Sequence, residues 1–224
     1  MKVSLQKYDA FVFDLDGTLV DSVPDLCLAL NHGLSECGLD SVSEAQVRQW
    51  VGNGSQKLVE RALLSFGESF CQYQVALHQQ FLKSYAQFLN QESQLYPETV
   101  ALLNELKSRN KTLALLTNKP IQFVEPLLRS LKIVEYFELL VGGDSLAEKK
   151  PSPLPLVHIL DSLKVQPEQA LMIGDSRSDV LCAQAADVDC VLLAQGYNQG
   201  VDLASLAPTF LFDDTPSFLS HLSS

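Results

Sequence analysis

An α/β fold is predicted, a parallel sheet with one all-helical module inserted after its first strand, and three observations predict it. From residue 97 onward, short apolar runs alternate with segments of helical periodicity, the pattern of βαβ units. One stretch, 23–90, interrupts that alternation and reads as helix almost throughout. Several apolar runs end abruptly in polar or acidic residues, as strands do where they deliver groups to the ligand-binding rim of an open sheet.

Residues 10–13, Ala-Phe-Val-Phe, are stopped by Asp14 and predict a buried strand. The helical block comes next, broken at Val51-Gly52-Asn53-Gly54-Ser55. Within it a Gln-rich stretch, 72–94, carries Val75, Leu77, Phe81, Leu82, Tyr85, Phe88 and Leu89 at helical spacing, and predicts one long amphipathic helix. Pro97 opens a helix through Leu102, Leu103 and Leu106. Strands are then expected at 112–117, 137–141, 170–173, 190–193 and 209–212, and helices at 120–131, 154–163 and 178–186. This divides the chain into an α/β core, 1–21 and 96–224, and a helical cap, 22–95. The tail from 201 carries no chemistry-bearing pattern.

At 46% hydrophobic and 19% charged, the 224 residues have the material for a buried core. Lys and Arg total 16 against 27 Asp and Glu, a formal charge of -11. Nucleic-acid binding wants clustered cations and is not expected. A small anionic substrate remains open, because a pocket or metal reverses the sign locally. No apolar run approaches a membrane span and residues 1–6 have no signal-like apolar core, so a cytoplasmic protein, monomer or homodimer, is expected. The five cysteines are scattered without a C-x-x-C and read as reduced small hydrophobes. His32, His78, His158 and His221 have no metal-ligand spacing, and Trp50 reads as cap core.

The predicted strand ends carry the chemistry. Asp14, Asp16, Gly17 and Thr18 come after the first, Thr117 and Asn118 after the second, and Gly174, Asp175 and Ser176, with Asp179 just beyond, after the fourth. Lys149 and Lys150 precede the helix at 154. Acidic residues from separate segments facing one point repel each other unless a hard cation sits between them, and Mg²⁺ is the usual choice. Asp14 and Asp16 suit a nucleophile and a general acid/base, with Gly17 allowing the sharp turn; a polar turn closing a strand is the plainer alternative. Pro151 and Pro153 stiffen the lysine loop, which favours one functional lysine, Lys150. Arg177 reads as exposed helix-start material that could reach the substrate or the cap.

Asp14-Leu15-Asp16-Gly17-Thr18-Leu19-Val20-Asp21-Ser22, Thr117-Asn118-Lys119, Lys150-Pro151-x-Pro153 and Gly174-Asp175-Ser176-x-x-Asp179 resemble, in order and spacing, the four signatures of the haloacid dehalogenase superfamily. The resemblance implies a Rossmann-like core with a cap inserted after the first signature. It implies Asp14 as the nucleophile that forms an aspartyl-phosphate and Asp16 as the general acid/base. It implies Asp14, the Asp16 carbonyl and Asp175 as Mg²⁺ ligands with Asp179 in support. Thr117 and Asn118 would bind phosphoryl oxygens, and Lys150 would bind both nucleophile and phosphoryl group. The acid at position 16 favours phosphate-ester chemistry over dehalogenation. Val51 to Leu63, Thr117-Asn118-Lys119-Pro120, Gly142-Gly143-Asp144 and Gly196-Tyr197-Asn198 resemble the phosphoglycolate phosphatase branch. The expected substrate is therefore 2-phosphoglycolate, its carboxylate received at Gly52, Asn53 and Gly54, which could otherwise be a hinge alone. The alternatives are a phosphatase of another small metabolite, such as a sugar phosphate, or a phosphomutase resembling β-phosphoglucomutase. A mutase needs extra cap cations, and 23–91 holds only Arg48, Lys57, Arg61 and Lys83.

Overall fold

The computed structural model describes residues 3–223; residues 1, 2 and 224 of the expected core lie outside them. β1 (Val3–Ser4) and β2 (Ala10–Phe13) lead through a tight loop to β3 (Val20–Asp21). Four helices come next: α1 (Val23–Glu36), α2 (Glu44–Trp50), α3 (Ser55–Phe66) and α4 (Gln74–Phe88). β4 (Gln94–Leu95) brings the chain back. Then come α5 (Thr99–Ser108), β5 (Thr112–Leu116), α6 (Val124–Ser130), β6 (Leu139–Val141), α7 (Leu154–Leu163), β7 (Ala170–Gly174), α8 (Arg177–Ala185) and β8 (Asp189–Leu193). β9 (Phe210–Phe212), α9 (Thr215–Ser220) and β10 (Leu222–Ser223) end the described chain.

Six strands form one sheet in the order β6-β5-β2-β7-β8-β9, every pairing parallel. β2 lies between β5 and β7, with Phe13 paired to Leu115 on one side and Ile173 on the other. Because side chains alternate along a strand, two apolar layers result. Phe11, Phe13, Leu113, Leu115, Leu171 and Ile173 enter one core; Ala10, Val12, Ala114, Leu116, Ala170 and Met172 enter the other. Both faces are covered, as a parallel sheet requires. The β2, β5 and β7 tips therefore lie side by side on one rim.

The helical block has its own core, built from Leu30, Leu34, Val47, Val59, Leu63, Leu77 and Phe81, and joined by Phe123 and Tyr197 from the sheet side. Its two crossings pair as a short antiparallel ribbon, Val20 with Leu95 and Asp21 with Gln94. α2 is started by a capping box between Ser43 and Gln46. Among the described residues, no helix is long and apolar enough to cross a membrane.

Four elements differ from expectation. The 72–94 stretch is not one helix: a 3-10 turn (Glu68–Tyr73) precedes α4, which ends at Phe88. Asn90 turns left-handed at φ 61, and the buried Asp25 carboxylate accepts the Glu92 and Ser93 N–H groups that a continuing helix would have used. α5 begins at Thr99 rather than Pro97, because Glu98 adopts φ 61. The 120–131 segment starts as a 3-10 turn (Ile121–Phe123), its first N–H held by Asp144. The 137–141 strand is confined to Leu139–Val141. β1, β3, β4, β10 and α9 carry too few residues to show a period and were not expected. α9 is signalled only by Asp214, which caps Ser217 N–H at 2.8 Å.

Candidate active site

Backbone pairing sets the rim. The Asp14 N–H donates to Ile173 O at 2.8 Å and Thr117 N–H to Val141 O at 3.0 Å, so each sheet ladder reaches the first polar residue beyond its strand. The loop after Asp14 folds back on Leu15, whose carbonyl accepts from Leu19 and Val20. Gly17 sits at φ +93, and a Cβ there would stand 2.2 Å from Asp175 Oδ2. Gly17→Ala is expected to cost about 1–3 kcal/mol in backbone strain alone. A thermal melt should show Tm falling about 2–4 °C per kcal/mol, and an unchanged Tm would mean that the loop has other ways to turn.

Three buried carboxylates, Asp14, Asp175 and Asp179, present oxygens within 4.8 Å of one another. Asp179 Oδ2 accepts from Ser176 N–H and hydroxyl in a capping box that starts α8. Asp175 accepts from Thr18 Oγ1 at 3.0 Å and Tyr197 N–H at 2.6 Å. Lys150 Nζ donates to Leu116 O at 2.7 Å and Asp179 Oδ1 at 2.6 Å, and stands 2.9 Å from Asp14 Oδ1, which receives no aligned hydrogen bond. The Lys150 ammonium thus contacts two of the three carboxylates, and among the described residues no cation pairs with Asp175. Burial, aided by the charge of Asp179 and opposed by Lys150, pushes the Asp14 carboxyl up to about 7. Burial and the charges of Asp179 and Asp14 raise Asp175 well above the usual carboxylate range. Excess negative charge, all-oxygen donors and an Asp14 oxygen without an aligned donor fit a hard divalent cation.

The Asp16 carboxylate lies outside this cluster. Both its oxygens face Lys119 Nζ, at 2.8 and 3.1 Å, and Oδ1 also accepts from Ser22 Oγ at 2.6 Å. Thr117 Oγ1 accepts from Lys119 N–H at 3.2 Å. Both amide hydrogens of Asn118 are spent, on Gly52 O at 3.2 Å and Lys150 O at 3.1 Å, so its side chain staples the α2–α3 loop to the lysine loop. Lys149 donates to Asn53 O at 3.0 Å, on the same seam and apart from the carboxylates.

Between rim and helical block lies a cavity of about 40 Å³. Asp14, Asp16, Thr117, Asn118 and Lys119 line it from the sheet; Val51, Gly52, Gly54, Ser55, Leu58, Phe81 and Tyr85 line it from the helices. Gly52 and Gly54 adopt φ 116 and 88, and Gly54 opens α3 without a side-chain cap, leaving first-turn N–H groups of that helix available. Asn53 does not line the cavity. Its Oδ1 is held by Arg61 at 2.6 Å, and Arg61 also bonds Trp50 O, so both fix the loop from outside. Arg177 is exposed and borders a separate groove with Arg61 and Asn53. Trp50 packs against the helical core, and His32 and His78 bond the hydroxyls of Ser84 and Ser55.

Three residues of the site have no role that the sequence makes legible. Lys119 sits inside a quoted motif, but nothing local identifies its partner. Tyr85 falls in an amphipathic period and looks like core. Tyr197 looks like loop. Its N–H holds Asp175, while its hydroxyl accepts from Ser22 N–H at 2.9 Å and donates to Asp21 Oδ1 at 2.7 Å, which ties the carboxylate cluster to the first crossing into the helices.

Residues 11–193 match the model of the haloacid dehalogenase-like hydrolase family. The chain is 43% identical over 227 aligned residues to the phosphoglycolate phosphatase of Colwellia psychrerythraea, covering 98% of this chain and 99% of that one. It is 44% identical over 197 residues to the phosphoglycolate phosphatase of Yersinia pseudotuberculosis, covering 88% and 85%. The crystal structure of a predicted phosphoglycolate phosphatase from Haemophilus somnus superposes with a TM-score of 0.89 at 35% identity, covering 95% and 97%. On this rim geometry and these matches, the chain is a phosphatase belonging to the haloacid dehalogenase-like hydrolase family.

Proposed function

We propose that the chain is a Mg²⁺-dependent hydrolase of 2-phosphoglycolate, working through an aspartyl-phosphate on Asp14, with 22–95 acting as a cap over a core of 1–21 and 96–224. The observation that carries the reading is the cavity itself. It joins the Asp14 and Asp16 carboxylates, Thr117 and Asn118 on the sheet rim to Gly54 and Ser55 at the start of α3, so that a phosphoryl group and a short organic end can be met from both sides. The relatives that carry the phosphoglycolate phosphatase name support the same substrate. The cap cations argue against the mutase: Arg48 pairs with Asp21 and Glu44, Lys57 with Glu60, and Arg61 holds the loop.

An Asp14 oxygen attacks phosphorus in line, the bond from phosphorus to the glycolate oxygen breaks, and Asp16 gives that oxygen its proton. Asp16 then takes a proton from water, whose oxygen attacks phosphorus as the bond to Asp14 breaks, releasing phosphate. Lys150 anchors Asp14 against Asp179. The Thr117 hydroxyl keeps its own proton for a phosphoryl oxygen, and Asn118 contributes its main-chain N–H, its side chain being committed to the seam. Asp14, Asp175 and the Asp16 carbonyl, with Asp179 in support, would hold Mg²⁺, which when bound would supply positive charge to offset the phosphoryl oxygens. Gly54 and Ser55 line the same cavity at the uncapped start of α3, whose free amides add a favourable potential for an anionic substrate.

Phosphate release from 2-phosphoglycolate, pentose and hexose phosphates and nucleotides, each with Mg²⁺ and with EDTA, tests the reading. A strong preference for 2-phosphoglycolate that EDTA abolishes is expected. A preference for sugar phosphates would keep the chemistry and sink the substrate, and release that survives EDTA would sink the metal. Cation binding should also depend on pH. With its folded value raised to about 7 from 3.8, Asp14 contributes stability below pH 4 that is lost as the pH rises through 7. Cation-free protein should therefore melt lower at pH 8 than at pH 5.5, and Mg²⁺ should raise Tm more at pH 8, where the ligand is already deprotonated. An equal Mg²⁺ shift at both values would mean that the cluster does not bind it.

A further inference from the structure

We propose that Lys119 and Tyr85 form the subsite for the substrate's carboxylate, a specificity element supplied half by the sheet rim and half by α4. The proposal rests on the 2-phosphoglycolate reading and names the groups that would enforce it. Among the described residues lining the cavity, Lys119 is the one cation. It is 5% exposed, and its ammonium lies 4.6 Å above the Tyr85 ring while pairing with Asp16. Lys150, the other buried ammonium nearby, is committed to Asp14 and Asp179.

Tyr85 is 1% exposed, and its hydroxyl makes no aligned hydrogen bond and has the Lys119 ammonium, which can only donate, as a polar neighbour, in a cavity whose helical wall is otherwise mostly apolar. A buried hydroxyl hydrogen without an acceptor is costly, and a bound acceptor relieves that cost. The ring cannot swing aside: Phe81 stacks on it at 5.7 Å and 7°, and Phe123 meets it edge-on at 5.0 Å. Burial pushes the Tyr85 phenol up to about 12, more than Lys119 lowers it, so it stays a donor. Burial pulls the Lys119 ammonium down, but the charge of Asp16 outweighs it and Lys119 stays charged.

A phosphomonoester with a carboxylate one carbon from its ester oxygen brings a second negative charge beside Asp16. Lys119 can neutralise that charge and Tyr85 can donate to it, both from buried positions. An alcohol in place of the carboxylate brings no charge for Lys119, which keeps Asp16 alone, and offers the Tyr85 hydroxyl only a neutral acceptor, which is how a polar site rejects a near-isostere.

The test compares kcat/KM of the Mg²⁺-loaded enzyme for 2-phosphoglycolate and 2-hydroxyethyl phosphate, which share the reacting group and differ at the carboxylate. Wild type is expected to prefer 2-phosphoglycolate by about 100-fold or more. Because Lys119 also pairs with Asp16, the readout is the ratio of the two kcat/KM values: beyond any loss common to both substrates, Lys119→Met should cut the preference for 2-phosphoglycolate about 100-fold and Tyr85→Phe about tenfold. Lys119→Arg should restore part of the preference. Equal losses on both substrates would show that Lys119 only aligns Asp16, and would overturn the proposal. So would a preference that survives both variants, with the substrate reading left standing. A wild type without preference would sink the substrate reading and this subsite with it. Tyr85→Phe keeps the ring and its packing, so it decides the matter if Lys119→Met fails to fold.

Discussion

Asp14→Asn is expected to abolish phosphate release, by about 10⁴-fold or more, and at the same time to stabilise the cation-free protein at pH 8. The two effects share one cause. Asp14 shares a buried pocket with Asp175 and Asp179, and among the described residues Lys150 is the ammonium that pairs with Asp14 and Asp179. Its carboxyl is pushed up to about 7 by burial and by Asp179, so at pH 8 the folded state holds a charge that it disfavours. The neutral amide removes that charge and the proposed nucleophile together. Melts at pH 8 and pH 5 separate the terms. The variant should gain most at pH 8 and less at pH 5, where folded wild-type Asp14 is still protonated but the unfolded carboxyl, at 3.8, is not. Retained turnover would place the nucleophile elsewhere, and an absent pH-8 gain would mean that the cluster stores no repulsion.

Lys150→Met should be the most damaging single substitution for the fold. Lys150 is 2% exposed and holds Asp14, Asp179 and the Leu116 carbonyl at the tip of β5. Removing one member of a buried ion pair typically costs about 3–5 kcal/mol, because the other charge stays behind unpaired. For a chain of this size each kcal/mol lowers Tm by about 2–4 °C. Asp179→Asn added to Lys150→Met should return part of the loss, since it removes one stranded carboxylate. A double-mutant cycle in Tm or denaturant midpoint measures that coupling, and strict additivity would show that the two charges do not sense each other.

The parallel sheet was legible because its evidence is local. The run at 10–13 is apolar on both sheet faces and ends at Asp14, and the runs at 112 and 170 end at Thr117-Asn118 and Gly174-Asp175. The helical insertion was legible from its 3.6-residue period and from the glycine break at 52–54, where α3 does start. Period-based reading failed where a distant side chain captured the backbone. Asp25, 67 residues away in sequence, accepts Glu92 N–H and helps to end the helix run early. Short elements such as β3 and β4 have no period at all and exist because each pairs with the other.

The sequence by itself determined which acids stand at strand ends, because strand periodicity and chain order decide which residues come directly after β2, β5 and β7. Only the tertiary structure decided their partners. Lys119 meets Asp16 across 103 positions, Asn118 meets Gly52 across 66, and Tyr197 meets Asp175 and the Ser22 amide across 22 and 175. No local pattern encodes such pairings. They arise from how the helical block docks on the rim, where burial removes water and leaves each polar group only the neighbours that packing provides.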